Sequence, residues 1–182
     1  MFDHVRADYR RYLQAQGGHG PVAHVQAALE YGFLATLVYR YGRFCRRIRP
    51  RLLSLPFKLL YRMLAVPCDL LLGISLSTNA DIGPGLYIGH YGGIFLHGDM
   101  GPNCSVGQGV TIGYKGAGRS TRPPRIGNHV YIGTSAVIVG DITVGDHAVI
   151  GANTTVVKDV PPRHRVVSAA VRMTPIEPET SA

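Results

Sequence analysis

The sequence predicts a mainly β fold in which short strands and turns repeat as one stacked coil, preceded by a helical N-terminal region. Two patterns predict the coil: an aliphatic residue recurs at every sixth position, and the side chain four residues after it is usually small or β-branched. The aliphatic positions are Leu76, Ile82, Ile88, Ile94, Met100, Val106 and Ile112, and then Ile126, Ile132, Ile138, Val144, Ile150 and Val156. Glycine directly follows most of them.

A period of six fits neither an α-helix nor an ordinary strand. Apolar residues recur at about 3.6 positions in an amphipathic helix and at about 2 in a half-buried strand. A repeat architecture accommodates a longer period, because one repeat cannot bury its own aliphatic side chain and must stack on its neighbours. Three hexads make one coil of about 18 residues, and successive coils lie about 4.8 Å apart.

The first part of the chain, residues 1–73, is predicted to form a helical cap region. Residues 2–16 have the composition of a short polar helix, which two glycines end. Residues 21–44 predict one longer helix with an apolar stripe. The first six residues mix acidic and basic side chains where a secretion signal would be apolar, so we expect no signal peptide.

The leucine-rich segment at residues 52–72 has two interpretations. It contains two prolines, which predict a kinked or broken helix. Its leucines are flanked by basic residues such as Lys58 and Arg62, and an arginine cluster precedes it, so residues 40–66 are a candidate for peripheral membrane contact. The interpretation that we favour is that the segment covers the open end of the first coil, since a stacked repeat needs a cap.

The coil is predicted to span residues 74–162 and to be interrupted once. Ile126 follows Ile112 after fourteen positions instead of six, so eight positions must leave the coil in an excursion loop at residues 113–125. Long excursions from a rigid scaffold often carry binding residues. Residues 163–182 form a C-terminal extension, and its Pro, Glu, Thr and Ser content predicts partial disorder.

Composition limits the class of protein. The chain has 182 residues, with 19 Lys and Arg against 11 Asp and Glu, which gives a net charge of +8. The excess positive charge either lies on an ordinary solvated surface or attracts an anionic substrate or membrane. We expect no nucleic-acid partner. Three widely spaced cysteines do not make a disulfide framework, which fits a reducing cytoplasm, and metal-binding CxxC or HExxH spacings do not occur.

Counting by hexads places side chains in columns at the corners of the coil. His90 lies two residues after Ile88, and its equivalents in later coils are Gln108, Thr134 and Ala152. Small side chains below a histidine would leave a shallow groove about as wide as an extended chain. The sequence therefore predicts a candidate site at this corner.

Other histidines fall in columns of their own. His97 is predicted to begin a column that continues as Lys115, Asp141 and Asp159. This column is either a second polar part of the site or a surface ladder of ion pairs. His129 and His147 are separated by the length of one full coil and should stack, which suits either a metal site or an ordinary surface.

The segment around the first of these histidines is Gly89-His90-Tyr91-Gly92-Gly93-Ile94. It resembles the Asp-His-x-x-Gly-Ile motif of the serine O-acetyltransferases, and the hexad pattern resembles the wider family of hexapeptide-repeat acyltransferases. The resemblance is strong over residues 76–173 and weak before them. It implies a left-handed parallel β-helix of triangular cross-section, and the handedness is taken from the resemblance alone, because parallel crossovers are usually right-handed.

The resemblance also implies an activity. His90 would be the general base in acetyl transfer from acetyl-CoA to a hydroxyl, and backbone amides near Gly92 and Gly93 would stabilise the oxyanion. It implies a homotrimer with active sites shared between subunits, in which the loop at residues 113–125 reaches a neighbour's His90. No metal is expected: the γ-class carbonic anhydrases share this fold, but their HxxxxH zinc spacing does not occur within the predicted coil.

Candidate CoA-binding residues come from the column and from the charge pattern. The candidates are Gly113, Thr134, Ala152, Arg119, Lys158 and Arg163, with Arg122 as possible support of the acceptor site. Cations suit the CoA phosphates, although each of these basic residues has plain solubility as its alternative role.

Three departures from the serine O-acetyltransferase pattern concern the acceptor. Gly89 replaces an Asp, Pro123 replaces a second His, and Ser75 aligns with the Asp that orients the base. The first two positions are associated with serine binding in that family. We therefore expect the acceptor to be a sugar or glycan intermediate, as in the short polysaccharide-associated branch. Serine O-acetylation in cysteine biosynthesis is the alternative, and a non-catalytic β-helix scaffold is an alternative of another class.

Overall fold

The computed structural model describes residues 1–18, 20–49, 52–116 and 122–169. The helices are α1 (Phe2–Ala15), α2 (Gly20–Leu29), α3 (Tyr31–Cys45) and α4 (Leu55–Pro67), and a π-helical turn follows at Cys68–Leu72. The strands are β1 (Ile74–Leu76), β2 (Tyr87–Ile88), β3 (Ile94–Leu96), β4 (Asp99–Met100), β5 (Ser105–Val106), β6 (Thr111–Gly113), β7 (Arg125–Ile126), β8 (Tyr131–Ile132), β9 (Val137–Val139), β10 (Thr143–Val144), β11 (Val149–Ile150), β12 (Thr155–Val156) and β13 (Arg165–Val166).

The strands form three sheets that wind around a common core. Face A contains β1, β3, β6, β9 and β12, face B contains β4, β7 and β10, and face C contains β2, β5, β8, β11 and β13. All of the strand pairs in the described ranges are parallel. The chain therefore visits the faces in turn as a three-sided parallel β-helix, as the hexad period predicts.

The interior of this β-helix contains the predicted aliphatic ladder. Its positions from Val106 to Val156 are all buried, and so are the small residues that were expected four positions later, such as Cys104, Ala136 and Ala148. Each fully buried aliphatic side chain contributes roughly 1.5–3 kcal/mol relative to an exposed one. Stacking therefore supplies the apolar burial that no single hexad has.

One position of the predicted register is wrong. Leu96, not Ile94, pairs with Leu76 on one side and Ile112 on the other, and Ile94 pairs with Ile74. On β2, Tyr87 pairs with Ser105, which is eighteen positions later. On β3, Phe95 pairs with Thr111, which is only sixteen positions later. The corner between β2 and β3 therefore holds two extra residues. Both aliphatics are buried, so the sequence period alone could not choose between them.

The excursion loop is where the sequence predicts it. Thr111 pairs with Val137, whereas Arg125 pairs with Thr143 at the ordinary spacing of one coil. The first spacing exceeds the second by eight positions, so eight positions leave the coil between these pairs. Residues 117–121 of this loop lie outside the described residues.

The coil continues beyond its predicted end. Strand β13 pairs with β11 and lies beyond residue 162, where the coil was expected to stop. The C-terminal extension therefore begins by adding one more strand to face C. The end of the extension, for which the sequence predicts disorder, lies outside the described residues.

The predicted helix at residues 21–44 is in fact two helices. Glu30 separates α2 from α3 with an extended backbone (φ −59°, ψ 128°). The start of α3 lies directly on the first coil, because a Cβ on Gly32 would be 2.6 Å from the carbonyl oxygen of Ile88. The chain must turn at Glu30 for α3 to reach the coil while α2 packs against α1.

The open end of the first coil is capped by α1 and α3. The buried Asp8 carboxylate accepts hydrogen bonds from the backbone amides of Gly85 (2.7 Å) and Leu86 (3.0 Å), and Arg40 donates to it at 2.9 Å. Tyr12 accepts a hydrogen bond from the Ile88 amide at 2.9 Å. These side chains pair backbone groups that an uncovered coil edge would leave exposed.

The favoured assignment of the cap to residues 52–72 is wrong for α4. No residue of α4 is buried, and among the described hydrophobic residues of this segment only Leu72 packs against the β-helix core. The predicted break is present, since the α-helix ends at Pro67 and a π-helical turn follows it. No helix in the described ranges is long and apolar enough to cross a membrane.

Candidate active site

His90 lies at the expanded corner between β2 and β3, and its side chain is exposed. The two extra residues of this corner require unusual backbone angles, with φ of 100° at Gly92 and 69° at Gly93. Only glycine adopts such angles without strain. A third glycine, Gly73, lies against them, since a Cβ there would be 3.0 Å from the Gly93 nitrogen. The glycine pair of the motif thus has a structural cause.

The corner presents backbone donors next to the histidine. The Gly92 carbonyl accepts a hydrogen bond from the Gly109 amide, which fixes the corner on the coil below. The amides of Gly92 and Gly93 have no hydrogen-bond partner within the described part of the chain. A free pair of amides beside an exposed imidazole can stabilise a developing negative charge.

An aromatic contact that the sequence did not reveal supports this corner. Tyr91 packs edge-on against Tyr31, the first residue of α3, with 4.9 Å between the ring centroids. Such pairs contribute about 0.5–1.5 kcal/mol beyond burial of their area. The N-terminal helices therefore hold the His90 corner as well as capping the coil.

The predicted column below His90 is correct from the second coil onward. The Gln108 carbonyl accepts from the Ser135 amide, and the Thr134 carbonyl accepts from the Asn153 amide, so Gln108, Thr134 and Ala152 stack on successive coils. All three side chains are exposed. The position above Gln108 is taken by Gly92, however, because the corner has two extra residues. His90 therefore lies beside the top of this column, which we call the small-residue groove, and not in it.

His97 is at the opposite end of β3 from His90, and the predicted column for it is wrong. Because Leu96 pairs with Ile112, the neighbour of His97 on the next coil is Gly113, not Lys115. Gly113 in turn pairs with Val139. His97 thus lies where the excursion loop leaves the coil, one corner away from His90. One chain does not bring the two histidines to the same corner.

A carboxylate near His97 is a candidate functional group that the sequence analysis missed. Asp69, in the π-helical turn, lies close enough to Ser75 and His97 for both to influence its carboxyl group. Burial raises the pKa of the Asp69 carboxyl above its ordinary value, while Ser75, His97 and Arg62 act in the opposite direction. The resemblance predicts a base-orienting Asp at the position of Ser75, and Asp69 brings a carboxylate near that position from another element.

The two described cations among the predicted CoA-binding residues do not lie at the small-residue groove. Lys158 lies between faces A and B, and Arg163 lies between faces B and C with its amide bonded to the Asp146 carbonyl. Arg122 is exposed at the end of the excursion loop, and Arg119 lies outside the described residues. Gly113 has open space around its Cα, since a Cβ there would meet no atom of the described residues within 4 Å.

The predicted stacking of His129 and His147 is confirmed, with ring centroids 4.8 Å apart and the planes 3° from parallel. Hydrogen bonds to Asn128 lower the pKa of the neighbouring Asp146 carboxyl, and the two histidines act in the same direction. Within the described ranges, no three His, Cys, Asp or Glu side chains group closely enough to hold a metal ion. Cys45, Cys68 and Cys104 are free thiols.

Known proteins are similar to this chain in sequence. A family model described as bacterial transferase hexapeptide (six repeats) matches residues 123–158. The serine acetyltransferase of Helicobacter pylori strain J99 is 33% identical over 130 residues, which are 70% of this chain and 76% of the relative. WcaB of Escherichia coli K12, an acetyltransferase assigned to colanic acid biosynthesis, is 32% identical over 148 residues, which are 78% of this chain and 89% of the relative.

A solved structure extends the similarity to three dimensions. The crystal structure of Neisseria gonorrhoeae serine acetyltransferase matches with a TM-score of 0.73 and 31% identity, over 92% of this chain and 65% of that one. The present chain thus spans just under two thirds of the length of the gonococcal chain. The three-sided coil, the glycine-rich histidine corner and these relatives lead to one assignment. The chain belongs to the hexapeptide-repeat acyltransferase family, among the acetyltransferases of the serine acetyltransferase type.

Proposed function

We propose that the protein transfers an acetyl group from acetyl-CoA to a hydroxyl of a sugar or glycan intermediate, with His90 as the general base. The observation that carries the proposal is the expanded corner between β2 and β3. It carries an exposed imidazole next to two glycine amides that no described residue pairs, and it lies beside the top of the small-residue groove. An O-acetyltransferase needs these three parts: a base, an oxyanion site and a channel for an extended carrier.

The chemistry follows from these parts. His90 takes the proton of the acceptor hydroxyl as the hydroxyl oxygen attacks the thioester carbonyl carbon. The amides of Gly92 and Gly93 stabilise the negative charge on the carbonyl oxygen. As the new C–O bond forms, the C–S bond breaks, and the leaving thiolate takes the proton back from His90. The groove formed by Gln108, Thr134 and Ala152 holds the carrier, and no metal takes part.

The proposed assembly is a homotrimer of left-handed β-helices with its active sites between subunits. His90 and His97 lie at different corners of one chain, so a site that uses both needs two chains. The excursion loop leaves the coil beside His97, where it can extend towards a neighbour's His90 corner. The three free thiols fit the reducing conditions of the cytoplasm, which is the proposed location.

The acceptor is proposed from two residues and one relative. Gly89 and Pro123 occupy positions where the serine enzymes have an Asp and a His, so the groups associated with serine binding are missing. WcaB, assigned to colanic acid biosynthesis, is a relative of similar length, since 89% of it is covered. Serine is the second candidate, because the Helicobacter pylori relative and the gonococcal structure are serine acetyltransferases and Asp69 brings a carboxylate near Ser75.

The acceptor is tested by CoA release from acetyl-CoA with serine, nucleotide sugars and oligosaccharides. We expect turnover with a saccharide and none above background with serine. Turnover with serine alone would replace the saccharide proposal by serine O-acetylation. Transfer to none of these acceptors, by a protein that binds acetyl-CoA, would contradict the sugar and serine assignments together.

Substitution of Ala152 tests the small-residue groove. Ala152→Phe adds a large side chain to an exposed position that the carrier is proposed to cross. We expect the KM for acetyl-CoA to rise about tenfold or more, since a clash costing about 1.4 kcal/mol weakens binding tenfold, while kcat changes little. Steady-state kinetics measure both constants. Pro161→Phe, an exposed substitution at another corner, is the matched control, and an equal rise in KM in both variants would contradict the assignment.

A further inference from the structure

Helix α4 carries an apolar stripe that the described part of the chain leaves uncovered. Leu55, Leu59, Met63 and Val66 follow one another at intervals of four, four and three positions, so they lie on one face of the helix. Their exposed fractions are 59%, 65%, 66% and 47%. Leu70, in the π-helical turn, continues the stripe with 78% exposure. We call these five residues the leucine stripe.

The opposite side of α4 is also incompletely packed. A groove of about 540 Å³ lies between α1, α3 and α4, and Leu34, Leu37, Leu60 and Leu64 line it. Soluble proteins rarely expose contiguous apolar surface of this kind unless it binds something. Since α1 and α3 already cap the first coil, covering the coil does not explain the leucines of α4.

Basic side chains lie along one side of the leucine stripe and precede it in the chain. Lys58 and Arg62 are one turn apart on α4 and lie beside it, and Arg46, Arg47 and Arg49 lie in the connection from α3. No Asp or Glu occurs between Glu30 and Asp69. An apolar helix face with cationic flanks and no acidic residues is the composition of a helix that lies in the interface of an anionic membrane.

We propose that α4 and its leucine stripe dock the protein on the surface of a bilayer that contains anionic phospholipids. The apolar side chains would enter the boundary between headgroups and acyl chains, and the arginines would meet the lipid phosphates. A second copy of the chain fits less well as the occupant. A symmetric contact through the stripe would bring two clusters of like charge together, which is destabilising.

The proposal goes beyond acetyl transfer, and it is tested without turnover. The full chain is sedimented with vesicles of phosphatidylcholine alone and with vesicles that also contain phosphatidylglycerol. We expect binding to the anionic vesicles to be at least about tenfold tighter than binding to the neutral ones. This binding should weaken at high salt, since salt screens the attraction between surface cations and lipid phosphates. Equal binding to both kinds of vesicle, or to neither, would overturn the proposal.

Paired substitutions separate the leucine stripe from general stickiness. Leu59→Glu combined with Met63→Glu places two charges on the stripe without disturbing a buried side chain. Val22→Glu combined with Val25→Glu places the same charges on exposed positions of α2 (67% and 57% exposed) as the matched control. We expect only the α4 variant to lose vesicle binding, by about tenfold or more. Equal loss in both variants would overturn the assignment to α4.

Light scattering without vesicles distinguishes a lipid surface from a protein partner. The α4 variant is expected to have the same oligomeric state as the wild type. If it dissociates into smaller species, the leucine stripe is an interface between copies of this chain and the membrane proposal fails. This result is independent of the acetyltransferase assay, so failure of the docking proposal and failure of the proposed function are distinguishable.

Discussion

Replacement of His90 by alanine is expected to lower the rate of acetyl transfer by about 10²–10⁴-fold, the usual contribution of a general base. The side chain is exposed and buries no core surface, so its loss should leave the β-helix folded. The groove formed by Gln108, Thr134 and Ala152 does not include His90, so the KM for acetyl-CoA should change little. The measurement is CoA release under saturating acetyl-CoA, with the acceptor identified in the panel.

Two other histidines serve as comparisons for this prediction. His147→Ala removes an exposed histidine that stacks on His129 at a different corner, and it should leave turnover close to that of the wild type. His97→Ala tests whether a second polar group completes the site from a neighbouring subunit. If His90→Ala has wild-type turnover while His97→Ala does not, the base has been assigned to the wrong end of β3.

The β-helix could be predicted from the sequence because its core is strictly periodic. Each inward aliphatic occupies an equivalent position in every coil, so the period of six and the excursion of eight positions can be counted directly. The single register error arose at Ile94 and Leu96. Both are buried aliphatics. The corner before β3 is two residues longer than usual and the corner after β3 is two residues shorter, so counting by hexads cannot tell which of the two aliphatics is in register.

The candidate site was predictable in part. The motif pointed to His90, Gly92 and Gly93, which share one corner. Counting by coils placed Gln108, Thr134 and Ala152 in one column, which the structure confirms. Counting failed for the partners of His97, because that column depends on the register of β3. Asp69 was missed for another reason: it comes from a π-helical turn outside the repeat, and only the fold places its carboxylate beside Ser75.

The cap was the least predictable element. Sequence composition favours leucines for covering an apolar coil end, but the coil end also exposes backbone amides and carbonyls. Polar side chains on α1 and α3 satisfy those groups, and no periodic pattern marks a single Asp on α1 for this role. The sequence therefore suggested that the leucines of α4 cover the end of the first coil, whereas Asp8, Tyr12 and Arg40 do so in the structure.

Replacement of Asp8 by alanine is accordingly expected to destabilise the protein by about 3–5 kcal/mol, the cost of breaking a buried ion pair by removing one partner. Asp8 is fully buried, and its carboxylate joins α1 to Arg40 on α3 and to the amides of Gly85 and Leu86 on the first coil. Without it, a buried guanidinium loses its counter-charge and two backbone donors lose their acceptor. Urea denaturation at one fixed protein concentration measures the change, since the stability of an oligomer depends on concentration.

The exposed ion pair between Arg43 and Asp81 provides the matched control, because it also joins α3 to the first coil. Its charged atoms are 2.8 Å apart, close to the 2.9 Å of the Arg40–Asp8 pair, but the Asp81 side chain is 75% exposed. Asp81→Ala should therefore cost less than about 1 kcal/mol. Both variants remove one carboxylate from an ion pair with α3. They differ because Asp8 is buried and also accepts two backbone amides, whereas the Asp81 side chain is mostly exposed. Equal loss of stability in both would show that Asp8 does not hold the cap on the coil, and that packing of α3 alone is sufficient.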